Sequence, residues 1–332
     1  MLNSVLIITS PWIGIMNNPS FMKTFRQYLK CMCSIHQRNQ EAFADDLDKV
    51  EVSKAALKSS KEIRGPHRPP AIIIHGVMPR SGTVYTGELL RLHPDIYAYP
   101  NELWEIPFLE LSGEFKNIQQ LFFQRYKLNR EKMGELDLLP LFGASLISYL
   151  YSFVPANKTL LIKVPDVQFL NYFPIVFPHE NLLLLMRDGR DLVSSTIRTW
   201  PRKKFSKVCL QWKNSAQHMI NFNRNQSLKR DNYQMFKYED ILEQPAEFAR
   251  NACHWYGLDV DSYPYDKIDK LPYRGSSTLQ AEGGVSWEPI YSGQTTKTVG
   301  HWQQWSAKQT KQFKKIAGEV LIQAGYCTDL NW

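Results

Sequence analysis

Residues 71–77 read Ala-Ile-Ile-Ile-His-Gly-Val, a short apolar run dominated by β-branched side chains. Such a run is too short for an ordinary helix and lacks the alternation of a half-exposed strand, so it suits a strand buried on both faces. A strand of that kind needs cover above and below, which means a parallel sheet between two layers of helices. The turn Pro79-Arg80-Ser81-Gly82-Thr83 follows, and the spacing then predicts a helix over residues 84–92. Similar strand signals recur at residues 160–164 and 181–186, with a mixed one at 233–238, each leading into a polar loop or a helix. The expected fold is a three-layer α/β arrangement around a central parallel sheet. Ligands in such sheets bind at the carboxyl ends of the strands, which is where this chain collects its polar residues.

Of the 332 residues, 43% are hydrophobic and 22% charged, which excludes extensive disorder. The formal net charge of +8 implies an anionic partner without saying which. The five cysteines (Cys31, Cys33, Cys209, Cys253, Cys327) are too scattered for a disulfide framework, and neither they nor the eight histidines have zinc spacing, so no metal is expected. Reduced thiols point to a cytoplasmic setting. Residues 2–16 are apolar but broken by Pro11, without a basic stretch before them, and too few to cross a bilayer. Phe21, Phe25 and Leu29 lie at helical spacing among Lys23, Arg26 and Lys30. That pattern fits a helix docked on the main domain, with membrane-surface contact through residues 1–35 as the alternative. Residues 37–70 read as a tether or lone helix and then a stiff linker ending in Gly-Pro-His-Arg-Pro-Pro. The expected organisation is an N-terminal extension and linker over residues 1–70 and one domain over 71–332.

Two constellations carry chemistry. In the first, Arg80, Ser81, Gly82, Thr83, Val84 and Tyr85 lie between a strand and a helix, where backbone N–H groups and the helix dipole attract an anion. The nucleotide-hydrolysing loop needs Gly-Lys-Ser/Thr; here Thr83 follows Gly82, and the cation comes before the glycine, as Arg80. In the second, Arg187-Asp188-Gly189-Arg190-Asp191-Leu192-Val193-Ser194-Ser195 follows an apolar strand. Arg187 at the strand exit and Ser195 on the next helix can converge on one phosphate. The alternative is that the aspartates cap the helix and pair with the arginines.

These segments resemble the loops of the sulfotransferases that use 3′-phosphoadenosine 5′-phosphosulfate (PAPS). Residues 79–83 resemble the family's 5′-phosphosulfate loop and residues 187–195 its 3′-phosphate motif. Tyr238-Glu239-Asp240 resembles the Tyr-Glu-Asp segment near the nucleotide, and Val299-Gly300-His301-Trp302 the family's final portion. The resemblance spans residues 71–326 and implies a P-loop-like sulfotransferase fold with in-line sulfuryl transfer from PAPS to an acceptor hydroxyl. The acceptor could be a carbohydrate, a lipid, a small alcohol or a tyrosine, and an acidic one would suit the net charge. It implies that Arg80, Ser81, Gly82, Thr83, Val84 and Tyr85 hold the phosphosulfate, that Arg187, Ser195 and Lys297 hold the 3′-phosphate, and that Tyr238 approaches the adenine side. No metal and no nucleic acid enter this scheme.

Two departures from the pattern bear on catalysis. Arg80 stands where cytosolic members usually carry lysine, as in the tyrosylprotein and many bacterial branches, and either cation can balance charge on the leaving oxygen. Residues 161–166, Leu-Ile-Lys-Val-Pro-Asp, lack the histidine that cytosolic members use as base. Glu102 is the leading replacement, near the place of the tyrosylprotein branch's glutamate. Tyr99, Trp104 and Phe108 are expected to desolvate it and raise its pKa. Asp166 and Glu105 are the reserves, and Lys163 is expected to stabilise sulfuryl oxygens. A P-loop-related kinase and a catalytically silent protein binding adenosine 3′,5′-bisphosphate (PAP) are the competing readings.

Overall fold

Every residue of Asn181–Met186 is buried, as are all of Ile72–Gly76 and Thr159–Val164, in the computed structural model. Backbone buried on both faces must satisfy its N–H and C=O groups in a ladder, and these three strands sit side by side at the centre of one sheet. The structure describes residue 43 and residues 52–225, 230–271 and 299–332, which fall in the compact unit Phe43–Trp332.

The strands are β1 (Ile72–Gly76), β2 (Ile96–Ala98), β3 (Thr159–Val164), β4 (Asn181–Met186) and β5 (Tyr233–Lys237). They run in the order β2-β3-β1-β4-β5, every pair parallel. The longer helices are α1 (Lys54–Ile63), α2 (Thr83–Arg91), α3 (Ser112–Arg125), α4 (Leu138–Tyr151), α5 (Gly189–Thr199), α6 (Phe205–Arg224), α7 (Tyr238–Glu243), α8 (Pro245–Tyr256) and α9 (Ala307–Gln323). On one face Ile72, Ile74, Leu161, Leu183 and Leu185 pack with Leu89 and Leu90 of α2 and with Phe248, Ala249 and Ala252 of α8. On the other, His75 and Tyr233 each meet Phe173 edge-on, and Phe222 of α6 stacks on Tyr233. The α/β sandwich with a parallel central sheet is therefore the observed architecture.

Of the two readings of residues 37–70, a tether or a lone helix, residues 54–63 form the helix, and it is docked on the domain. Here α1 packs on α4, and the backbone N–H of Ser53 donates to Asp137 Oδ1 at 2.8 Å. Buried Arg64 then donates to Glu180 through Nε at 2.6 Å and Nη2 at 3.2 Å, and to the carbonyls of Gly65, Arg68 and Pro69. The sequence signal failed because α1 offers only Ala56 and Ser60 as buried residues; a buried ion pair, not an apolar face, binds this stretch to the domain. Trp212 is fully buried.

Candidate active site

Because all five strands are parallel, their carboxyl ends share one edge, and the loops leaving that edge bring distant stretches of sequence together. The loop after β1 turns through Arg80, whose φ is 82°, and Gly82, whose φ is 92°. Ser81 locks the turn: its hydroxyl donates to the Met78 carbonyl at 2.5 Å and accepts from the Met78 N–H at 3.1 Å. Its own N–H also goes to Met78, at 3.2 Å. Ser81 therefore shapes the loop through its contacts with Met78. Gly82 caps α2 with no side chain to satisfy the N–H groups of the first turn, which leaves them for an anion.

Arg187 leaves the end of β4 and returns to this loop. Its Nη1 donates to the Arg80 carbonyl at 2.5 Å, which holds the left-handed Arg80 backbone in place. Its guanidinium lies 4.9 Å from the centre of the Tyr238 ring, at the start of α7. Arg80 Nε in turn donates to Ser195 Oγ on α5 at 3.2 Å. The two separate constellations thus meet, with Tyr238 as a wall; a Cβ on Gly82 would come within 2.2 Å of that ring. Burial, then the neighbouring positive charge of Arg187, pushes Arg80 down from its usual value to about 10. Two guanidinium groups brought together at low exposure destabilise each other, and an anion between them would relieve that repulsion.

The remaining charged residues of the motif are structural. Asp188 accepts from the Arg190 N–H at 2.8 Å as the cap of α5, and from Arg190 Nη2 at 2.6 Å. Arg190 lies against Trp302 and Trp332, with ring centres at 4.3 and 4.7 Å. Asp191 accepts from the Gly300 N–H at 2.9 Å. The capping alternative thus holds for Asp188 and Arg190, while Arg187 goes to the loop. Glu239 accepts from the Asp188 N–H at 3.0 Å and from the Tyr326 hydroxyl at 2.9 Å, bracing β5 against β4.

The Tyr85 side chain packs edge-on against Tyr238 with ring centres 6.2 Å apart, because the third position of α2 faces the sheet. One expectation is corrected. Glu102 is exposed and not desolvated. Tyr99, Asn101 and Glu102 all adopt positive φ (57°, 51° and 60°), and this left-handed turn leaves the Tyr99 ring tilted against Trp104 with ring centres 4.3 Å apart and its hydroxyl donating to Glu88 at 3.0 Å. The aromatic shelter therefore forms around Tyr99. Val84 is half-buried and Thr83 buried at the start of α2. Lys297 lies outside the described residues.

Lys163 is buried at the end of β3 and donates to Glu105 Oε1 at 3.1 Å. Asp166, just beyond, is pushed up by burial, a shift only partly offset by the Gln168 N–H that it accepts at 2.5 Å. Its backbone carbonyl accepts from His75 Nδ1 at 2.7 Å. The pairing of His75 with this loop was not legible, since a lone histidine in an apolar run carries no signal of its partner. Among the described residues no group of histidine, cysteine and acidic side chains is arranged to hold a metal, and no helix is long and apolar enough to cross a membrane.

The chain is thus an α/β protein whose parallel sheet brings Arg80 and Arg187 together beside a helix start without a side-chain cap. The sequence matches the sulfotransferase family over residues 70–262, more than half of its length, and the chain belongs to that family. Among solved structures it is similar to the sulfotransferase domain of the Synechococcus olefin synthase (17% identity, TM-score 0.46, covering 77% of this chain and 96% of that one). It is also similar to retinol dehydratase in complex with androsterone and inactive cofactor PAP (17% identity, TM-score 0.46, 82% and 87% covered) and to a sulfotransferase from Alicyclobacillus acidocaldarius (12% identity, TM-score 0.43, 77% and 94% covered). These likenesses are weak, and membership rests on the match over residues 70–262. No curated protein sequence matches the chain.

Proposed function

We propose that the chain transfers the sulfuryl group of PAPS to an acceptor hydroxyl by in-line displacement. The observation that carries this is the convergence of Arg80, Arg187, Ser195 and Tyr238 from separate strand ends. The first-turn N–H groups of Thr83 and Val84, with Gly82 and Arg80, hold the 5′-phosphosulfate, and Arg187 and Ser195 hold the 3′-phosphate. Tyr238 lies against the nucleoside. The acceptor oxygen bonds to sulfur as the bond from sulfur to the bridging phosphate oxygen breaks; Arg80 balances the charge that develops on that oxygen, and PAP leaves. The acceptor's proton passes to a carboxylate. Asp166 now fits that role better than Glu102, because burial raises its pKa while Glu102 stands in solvent. Lys163 neutralises sulfuryl oxygens from the end of β3.

The test is titration of the protein with PAP, joined to transfer of radiolabelled sulfate from PAPS into a cell extract. Saturable PAP binding and a labelled product are expected. An absence of PAP binding would overturn the nucleotide assignment, and binding without any labelled product would overturn the enzyme.

A further inference from the structure

From residue 192 to residue 230, and again from 299 to 318, the sequence has no aspartate or glutamate, while lysine and arginine recur through both stretches. The fold places these two stretches side by side. Helices α6 and α9 pack along each other, with Trp212 against Phe313 at 5.8 Å and Phe205 against Trp305 at 5.1 Å, so both helices start at the same end. Within six residues of Phe205 or Trp305 along the chain stand Arg202, Lys203, Lys204, Lys207, Lys308 and Lys311, all exposed, and Lys311 lines a groove beside Trp305. One helical turn rises 5.4 Å, so these cations lie within about two turns of the Phe205–Trp305 contact. Lys203 is folded over Trp200, 4.4 Å from the ring centre. That groove, of about 410 Å³, runs along Ala307, Thr310, Lys311 and Lys314.

A single-sign cluster of this size raises the local potential and repels itself. It has no acidic neighbour within its own two stretches, and the proposed transfer does not use it. The groove has one aromatic wall and point-charge lysines, with no arginine along it. That favours a sugar ring laid on Trp305 with carboxylate or sulfate groups reaching Lys311 and its neighbours; a nucleic acid would need several stacking platforms. We infer that this face is a binding surface for an anionic polysaccharide, separate from the nucleotide cleft. The choice of a hydroxyl-rich polymer rests on the sulfotransferase reading. The surface starts just past the end of α5, the helix that carries Ser195, so a polymer held there is tethered to the enzyme near its cleft. Each sulfuryl group added would strengthen the hold by one more negative charge.

The experiment compares the full-length protein with the charge-reversed variant Lys204→Glu/Lys311→Glu, at an ionic strength of about 0.15 M. The probes are size-defined heparin oligosaccharides, single-stranded DNA of equal charge, anionic phospholipid vesicles and, separately, PAP. Wild type should bind the oligosaccharide more tightly than DNA or vesicles, and the variant should bind it about tenfold more weakly with a shallower salt dependence. PAP affinity and melting temperature should not change between the two. Unchanged oligosaccharide binding in the variant would overturn the surface, and equal or tighter binding of DNA or vesicles would overturn the polysaccharide. Loss of PAP binding in the wild type would instead refute the sulfotransferase reading, so the two failures are distinct.

Discussion

Replacing Gly82 by alanine tests whether the loop after β1 and the Tyr238 wall form one closed unit. Two costs are expected. An L-residue at φ 92° is strained by about 1–2 kcal/mol. The added Cβ would also come within 2.2 Å of Cε2 and 2.3 Å of Cδ2 in the ring of Tyr238, a residue only 4% exposed. Relieving that overlap requires the ring to move, and overpacking of this kind costs about 1–3 kcal/mol. Together they give about 2–5 kcal/mol, and the displaced ring would no longer lie under Arg187. Gly257→Ala supplies the control: its φ of 66° brings a similar strain, but no atom lies within 4 Å of its added Cβ. Urea denaturation and PAP titration of both variants separate the two contributions. Gly82→Ala should lose at least about 1 kcal/mol more stability than Gly257→Ala, and only Gly82→Ala should weaken PAP binding. Equal stability losses and unchanged PAP affinity in both would refute the close approach of Gly82 and Tyr238.

Arg80→Ala should lower kcat by at least about a hundredfold in the sulfate-transfer assay, and near-normal turnover would remove its charge-balancing role. Ser195→Ala should weaken PAP binding by about tenfold or more in calorimetry; an unchanged affinity would detach Ser195 from the 3′-phosphate. Asp166→Asn should depress kcat more than Glu102→Gln, with PAP affinity unchanged in each, and the reverse order would return the base to the exposed turn. His75 is pushed by burial from its ordinary value near 6.5 down to about 4. The unfolded state therefore binds more protons than the folded one between those values, so this histidine's contribution is fully present above pH 6.5 and lost as pH falls towards 4. The loss amounts to about 3 kcal/mol. Unfolding free energies measured across that window should flatten in His75→Gln relative to wild type, and parallel curves would show that His75 is not buried in its neutral form.

The sheet was largely legible because burial on both faces forces continuous apolar runs. Residues 71–77, 160–164 and 181–186 mark β1, β3 and β4 to within a residue or so of their ends. Strand β2 escaped notice because three residues, Ile96–Ala98, are too few for any pattern. Arg187 and Ser195 were placed together by their spacing, a strand exit followed by the next helix, while the meeting with Arg80 and Tyr238 was legible only through the family resemblance. Finer roles within the motifs were not legible. Ser81 turning inward to Met78 and Tyr85 facing the core depend on loop and helix phase, which residue identity alone leaves open. The exposure of Glu102 depends on positive φ at Tyr99, Asn101 and Glu102, a conformation that these residue types do not announce. The anchoring of α1 was hidden because its partner, Glu180, lies more than a hundred residues further along the chain.

The parallel arrangement of β1 to β5 also governs when the site can come into being. Among the described residues no strand pairs with its sequence neighbour through a hairpin, and Arg80 cannot touch Ser195 until the connections between β1 and β4 have closed. Closing such loops demands entropy before any contact repays it, which makes this topology slow to assemble. Nucleotide grip should therefore be among the last properties that a newly made chain acquires.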